Sequence, residues 1–580
     1  MLFDAVITEL TRLLGPEAEQ VGDLARFISH PPKPDMGDLA FGCFPLAKIR
    51  RRSPAQIAQE LAGQVQAGGL IASAAAVGPY LNFSADPVGL LQATCDAVDS
   101  GVLTRAQTRQ TDRVMVEFSQ PNTHKLFHVG HLRNVALGDS LVRIFRSRGH
   151  SVVPANYYGD FGIDVAKCLW WLRTHPELEA PQTDRASFLG KAYTDANEQL
   201  DPKRVEPEQR EKNLTEVRAI LHAMEQREPE IWALYQQTRQ WCLDEFRSTY
   251  AWLGVDFDVD FFESEMEAPA NAIVDHFLAQ GVLEVSDGAI VCDLQPDLDV
   301  PAMVRKSDGT SLYMTWDLAL AKVKFEDFGI QRSLYVVGSE QRFHFKQLFL
   351  ALDRMGYPRA GDCRHVSYEL VVLPEGKMSS RKGSAIPLYR LQSVVCEAIA
   401  ARLDAANARV AAEDRDETIR RIAVACLKYG MLRIGTNKRV VFSIDDWTNP
   451  EGDTGAYLLY SLARVRSIFR NAAADGLAPE AGAGFAADSG FGEVAEERAL
   501  LNHLARLPAV IDRAADGADP SSIAGWCYDC ARAFSRFWKA CPVLKAEPEL
   551  RAARLALIGA TDEVMSAGLA LLGIEPVDAM

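Results

Sequence analysis

Apolar residues change their period several times along the chain, and each change predicts an element. The run Met1–Leu10 repeats at helical spacing with acidic residues between, an amphipathic first helix; Ile57, Ala58 and Leu61 predict a second, and Pro79–Phe83 reads as a strand. Val114–Phe118 is a short β-branched and apolar run suited to a strand buried on both faces. Leu132, Val135, Ala136, Leu141, Ile144 and Phe145 then recur as a helix face until Gly149 stops it, and Val152–Ala155 begins another strand. This is a βαβ unit, whose first loop opens at the carboxyl edge of a parallel sheet. From about Lys167 to Phe262 the pattern is helical and charged, with Trp170, Trp171, Val217 and Met224 supplying apolar faces for a core. Asp287-Gly288 and Asp308-Gly309 each lie between strand-like runs, the second of which starts at Leu312, and read as hairpin turns. Ser333–Gly338 is a further buried strand, and His365–Leu373 the last one. From about Glu413 the pattern is helical to Met580, with a long amphipathic segment from Gly452 and an Ala/Gly-rich connection over Ala472–Gly492 expected to be mobile.

Bulk numbers narrow the class. A chain of 580 residues, 48% hydrophobic, makes several globular domains. Its net charge of -16 argues against holding nucleic acid by bulk electrostatics and leaves room only for a local basic groove. The densest basic cluster, Lys48–Arg52, fits a solvated helix face or an RNA contact equally. Of the eleven cysteines only Cys527 and Cys530 form a CxxC, inside a helical pattern with no second pair, so buried thiols are expected and no structural metal. The first helix has no basic leader and no run is long enough to span a bilayer; a cytoplasmic protein without a membrane partner is expected.

Chemistry concentrates in the loop after Phe118. It carries Gln120, Pro121, Asn122, Lys125, His128, Gly130 and His131 and ends at a helix N-terminus, where free N–H groups favour anions. Two histidines there form a phosphate site or, more blandly, a satisfied surface pair. His128-Val129-Gly130-His131 resembles the HIGH signature of class I aminoacyl-tRNA synthetases, and Lys377-Met378-Ser379-Ser380-Arg381-Lys382-Gly383 resembles their KMSKS loop. Gly37-Asp38, Gly78–Phe83 and Gly159-Asp160-Phe161-Gly162 are similar to elements of the arginyl-tRNA synthetases, with Phe161 where Trp is usual.

That resemblance covers nearly the whole chain. It implies a multidomain α/β protein: a small α+β domain over 1–110 that grips the tRNA elbow, a Rossmann-like parallel-sheet catalytic domain over 111–446 with a helical insertion near 167–262, and an all-α anticodon-binding bundle over 447–580. The implied reaction joins L-arginine to tRNA(Arg) through an adenylate, with ATP and Mg2+, in a monomer that activates arginine only with tRNA bound. His128, Gly130, His131, Lys377, Met378, Ser379 and Ser380 would meet ATP; Glu117, Gln120, Pro121, Asn122, His131, Tyr313, Asp317 and Gln341 would meet arginine. A guanidinium has donors only, so an acid such as Asp317 one helical turn from Tyr313 suits it, although Asp317 alone also reads as a helix cap. Ser380 stands where the usual loop has its second Lys, and Lys125 is expected to supply that charge. Tyr457, Tyr460 and Arg464 share a helix face suited to unpaired bases. Trp538 and Met580 are further candidates there. The rivals are a class I synthetase for another amino acid and a tRNA-binding relative without catalysis.

Overall fold

The computed structural model describes residues 1–33, 36–307, 312–373, 376–377 (backbone only), 386–406, 410–477 and 485–580. At its centre five parallel strands lie in the order Cys363–Tyr368, Arg332–Gly338, Arg113–Glu117, Ser151–Tyr158, Val259–Phe262. Val114, Met115 and Val116 in the middle strand are wholly buried, as their unbroken apolar run requires. The chain first builds outward through Ser151–Tyr158 and Val259–Phe262, then returns to place Arg332–Gly338 on the other side of Arg113–Glu117. This reversal opens a crevice at the strands' carboxyl ends. The helix Val129–Ser147 covers the sheet so closely that a Cβ on Gly138 would lie 2.0 Å from Cγ of Phe118.

Four elements differ from the sequence reading. Val259–Phe262, grouped with the helical insertion by its neighbours, is an edge strand of the sheet, and the insertion's last helix, Pro229–Leu253, stops before it. The run His365–Leu373 is two strands: Cys363–Tyr368 stays in the parallel sheet, while Val371–Leu373 pairs with Val440–Val441. The break is held by buried Arg133, whose guanidinium takes the carbonyls of Glu369 and, at 2.8 Å, Lys438. Leu312 starts no strand; it caps the helix Tyr313–Asp327, its amide donating to Thr315 Oγ1. The Asp308-Gly309 turn lies outside the described residues. Asp287-Gly288 makes the expected hairpin, with φ of 49° and 81°. Helical structure also begins earlier than Glu413, at Leu388–Ala405.

The N-terminal domain packs the helices Leu2–Leu14 and Pro54–Ala62 on an antiparallel sheet ordered Ile28–Ser29, Leu39–Gly42, Tyr80–Ala85, Ile71–Val77. In the basic cluster, Arg50 is tied to Glu17 and Arg52 to Glu60, so those two charges are spent within the domain. The C-terminal bundle comprises Gly455–Ala474, Ala495–Leu504, Leu507–Gly517, Ser521–Ala540 and Pro548–Leu571. Cys527 and Cys530 are buried in Ser521–Ala540, and burial raises both thiol pKa values. In the connection over 472–492, Ala472 and Phe491 are buried, while 478–484 lie outside the described residues. No helix among the described residues is long and apolar enough to cross a membrane.

Candidate active site

The loop leaving Arg113–Glu117 enters the crevice with three non-glycine residues at positive φ: Ser119 at 76°, Gln120 at 43° and His124 at 61°. Each such residue costs on the order of 1–3 kcal/mol and persists only where its surroundings over-determine it. Here they do. Ser119 N donates to Asn134 Oδ1 (2.7 Å), and its hydroxyl shares a hydrogen bond with Tyr250. Gln120 N donates to Asn156 Oδ1 (3.1 Å). Buried His124 bonds Thr123 and Thr238 through its two ring nitrogens. Thr238 and Tyr250 belong to the insertion helix Pro229–Leu253, so the insertion sets the shape of the loop.

The site candidates on this loop divide into two groups. Glu117 is buried against Lys324 and also accepts from Gln120 Nε2 (3.0 Å), while Gln120 Oε1 accepts from Asn134 (2.9 Å). Glu117 and Gln120 therefore form an internally satisfied brace. Pro121 is buried, and Asn122 is exposed, pressed so close to Gly159 that a Cβ there would lie 2.4 Å from Asn122 Oδ1.

His128 and His131 cap the helix reciprocally. His128 Nδ1 accepts from Gly130 N (3.1 Å) and His131 Nδ1 from His128 N (3.2 Å), with ring centroids 4.0 Å apart. Burial lowers both pKa values, His128 to about 4, and His131 is lowered further by His128 and Lys125. Both rings are thus neutral with Nδ1 already accepting, which puts the proton on Nε2. Each Nε2–H is then a donor for an anionic oxygen.

The KMSKS-like stretch is anchored on both sides. Gly376–Lys377 pairs with Val371–Leu373, and beyond the loop Val129 N donates to Ile386 O (3.2 Å) and Leu388 N to Phe127 O (2.8 Å). The Lys377 side chain, Met378, Ser379 and Ser380 lie outside the described residues. Lys125 points toward the insertion: its Nζ is 2.7 Å from Asp164, which also binds Lys167 at 2.9 Å. Burial pushes the Asp164 carboxyl up, but the two lysines outweigh it and leave it at about 2.

Across the crevice Asp317 Oδ2 is held by His344 Nε2 at 2.6 Å, and Oδ1 makes no hydrogen bond among the described residues. Tyr313, one turn earlier, is 65% exposed. Two residues not expected from the sequence complete this wall. Glu263 follows the edge strand, and its pKa is well raised by burial and by the charges of Asp160 and Asp317. Tyr157 is buried beside the same acids. Asp160 is fully buried and saturated by Tyr235, Arg239 (2.7 Å) and Ser264, so it is structural. Gln341 is exposed at the entrance to helix Arg342–Arg354. The wall has more acid than its cations neutralise, which suits a cationic ligand beside a donor-rich anion site.

Far from the crevice, Tyr460 lies against Arg464 (4.8 Å from ring centroid to guanidinium), and Tyr457 meets Tyr528 edge-on at 5.7 Å with Arg532 beyond it. Tyr528 and Arg532, absent from the sequence candidates, extend the same aromatic and basic surface. Met580 and Tyr460 line one cavity of about 390 Å³. Trp538 is 40% exposed on Ser521–Ala540.

Comparison with known proteins gives matches along the whole length. The family model of tRNA synthetases class I (R), catalytic domain, matches residues 95–444; the DALR anticodon binding domain matches 458–580, and the arginyl tRNA synthetase N terminal domain matches 4–85. An arginine–tRNA ligase of Bdellovibrio bacteriovorus is 38% identical, covering 96% of this chain and 95% of that protein. One from Treponema pallidum is 36% identical, covering 99% and 98%. The solved structure of Thermus thermophilus arginyl-tRNA synthetase superposes with a TM-score of 0.81 at 26% identity, covering 100% of both chains.

Proposed function

The chain belongs to the arginyl-tRNA synthetase family of class I, and from that premise we propose how its crevice divides the work of charging tRNA with arginine. The arginine carboxylate attacks the α-phosphorus of ATP, and pyrophosphate leaves. A ribose hydroxyl of the tRNA's terminal adenosine then attacks the arginyl carbonyl, and AMP leaves. Positioning and charge stabilisation carry such steps, because the protein forms no covalent bond to either substrate.

His128 and His131 donate from Nε2 to the α-phosphate region and stay neutral while doing so, which fits their lowered pKa values. Gly130 allows the backbone close approach, and the loop of Lys377, Met378, Ser379 and Ser380 closes over the outer phosphates. Mg2+ arrives on the phosphates of ATP and needs no protein ligand in this reading. Tyr313, Asp317 and Glu263 hold the guanidinium, and Asn122 and Gln341 the amino end. Glu117, Gln120 and Pro121 support the loop from below. The domain near 1–110 meets the tRNA elbow, and Tyr457, Tyr460, Arg464 and Trp538 read the anticodon side. A cytoplasmic monomer is the setting we propose.

The observation that supports this reading best is the juxtaposition of an acid-rich wall, Asp317 with Glu263, and two neutral imidazoles at a helix N-terminus. ATP–pyrophosphate exchange with single amino acids, with and without tRNA(Arg), tests it. Exchange with arginine alone among the amino acids, and only when tRNA is present, is expected; exchange with another amino acid would overturn it.

A further inference from the structure

The chain carries 78 acidic and 62 basic residues, so carboxylate partners outnumber the cations. Within the C-terminal bundle Arg466 and Arg554 are each paired with a carboxylate, at 3.1 and 2.7 Å. The other eight arginines of the bundle reach none among the described residues, and three of these, Arg498, Arg506 and Arg536, line one cleft. They come from three different elements: Arg498 from the helix Ala495–Leu504, Arg506 from the cap of Leu507–Gly517, and Arg536 from Ser521–Ala540. A single solvated helix face would not bring them together.

The opposite wall of the cleft is the N-terminal domain, at His30 and Asp38. The two sides are joined by Asn502, which donates to Asp38 Oδ1, while Asp38 Oδ2 accepts from Ala85 N (2.8 Å). Beyond Arg506 and Asp529 the cleft continues into a second lobe, the two lobes holding about 340 and 680 Å³. That is room for more than one phosphate group, since pockets of roughly 300–1,000 Å³ accommodate whole organic ligands. Arg506 also bears electrostatically on His30 across the gap, lowering its pKa after burial has done so, which shows how directly the guanidinium faces the other domain.

We infer that this cleft between the N-terminal domain and the helical bundle is a phosphodiester-binding site for the body of the tRNA, with Arg498, Arg506 and Arg536 as its phosphate contacts. Guanidinium groups suit phosphate because their paired donors match its oxygens. Asp529, whose charge acts on Arg506 but which makes no side-chain hydrogen bond among the described residues, is an acceptor for a ribose 2′-hydroxyl, a group a free inorganic anion lacks. The site lies between the domain proposed to meet the tRNA elbow and the one proposed to read the anticodon side, and the inference rests on that reading.

The test is salt-dependent binding of the full-length protein to tRNA(Arg) transcript and, separately, to inorganic tripolyphosphate, for the wild type and the triple variant R498A/R506A/R536A. Each phosphate contact contributes roughly 0.7–0.9 to the slope of log affinity against log salt. The triple variant is expected to bind tRNA about tenfold more weakly with a slope shallower by roughly two, to keep the kcat of arginylation at saturating tRNA, and to be rescued by Arg→Lys at the same positions. An unchanged tRNA Kd and slope would overturn the inference. So would loss of tripolyphosphate binding with tRNA binding unchanged, which would make the cleft a small-anion site. Should the triple variant fold poorly, Arg506→Gln alone carries the same reading, with a slope change near one. If the wild type fails to charge tRNA with arginine at all, the functional reading fails instead, and the two failures are thereby distinguished.

Discussion

The amide of Leu388 donates to the carbonyl of Phe127 at 2.8 Å, joining the exit of the KMSKS-like loop to the entrance of the HIGH-like helix. Val129 N and Ile386 O form the companion bond at 3.2 Å, and an isolated bridge pairs His128 with Pro387. The segment that follows the second signature is thus tied to the backbone of the first, far away in the chain. Val129 is the first residue of its helix, where proline is tolerated because the amide has no intrahelical partner. Val129→Pro should therefore delete the bond to Ile386 while leaving the helix in place. An intramolecular hydrogen bond is worth about 0.5–1.5 kcal/mol, so a loss of up to about tenfold in pyrophosphate exchange is expected, with an unaltered circular dichroism spectrum. Full exchange activity would mean that the stitching plays no part in activation.

How much of this was legible beforehand follows the range of the interactions. The strand Arg113–Glu117 and its helix were readable because contiguous apolar runs and a 3.6-residue period report on local burial. Glu263 was not, because its meaning comes from sheet order: only when Val259–Phe262 takes the edge beside Ser151–Tyr158 does the next residue reach the crevice. Lys324 could have been noticed as a lone cation among the apolar positions of Tyr313–Asp327, but nothing local says that it pairs with Glu117. His344 and Asp317 likewise meet through packing of two helices.

Glu263 makes arginine binding depend on pH. Burial first, then Asp160 and Asp317, raise its pKa well above the ordinary carboxylate value. Protonation removes the negative charge a guanidinium seeks, so KM for arginine should rise as pH falls through this raised pKa, at a pH where exposed carboxylates are still ionised. His128 stays neutral down to about pH 4 and adds nothing to that limb. Glu263→Gln should flatten the profile and raise KM on its high-pH side, where Glu263 is ionised, by roughly tenfold or more, as expected for loss of a charged hydrogen bond worth about 1.5–3 kcal/mol. A KM profile identical in wild type and variant would remove Glu263 from the pocket.

Lys125 has two possible duties that kinetics can separate. If its charge serves the reaction, Lys125→Ala should slow activation by roughly a hundredfold, the scale of losing one stabilising group at a developing charge, with KM for ATP little altered. If it serves only to bind Asp164, 2.7 Å away, the same variant should lower Tm and leave kcat nearly intact. We expect the first. Asp164→Asn supplies the control: it removes the partner and keeps the ammonium, so it should cost far less activity than Lys125→Ala, and equal losses would assign both residues to structure alone.

The helix capped by His128 is also clamped at its middle by the C-terminal segment of the chain. Buried Lys428 lies 2.7 Å from Asp139, Arg143 holds the other oxygen of that carboxylate at 2.9 Å, and Ser140 Oγ donates to Leu571 O at 2.7 Å. Gly573 closes the junction at φ 66°: a Cβ there would stand 2.3 Å from Asp139 Oδ2 and 2.5 Å from Lys428 Nζ. Burial lowers the Lys428 pKa, and Asp139 opposes that shift, so the ammonium keeps its charge through its partner. Removing one member of such a pair leaves an uncompensated buried charge and costs about 3–5 kcal/mol. Lys428→Met should therefore destabilise the protein by about 3 kcal/mol, the lower end, since Arg143 still compensates Asp139. Gly573→Ala forces both a left-handed backbone and a steric conflict, and should weaken the same junction without altering any charge. Urea denaturation measures both. If either variant unfolds at the wild-type midpoint, the C-terminal tail is not what braces the active-site helix.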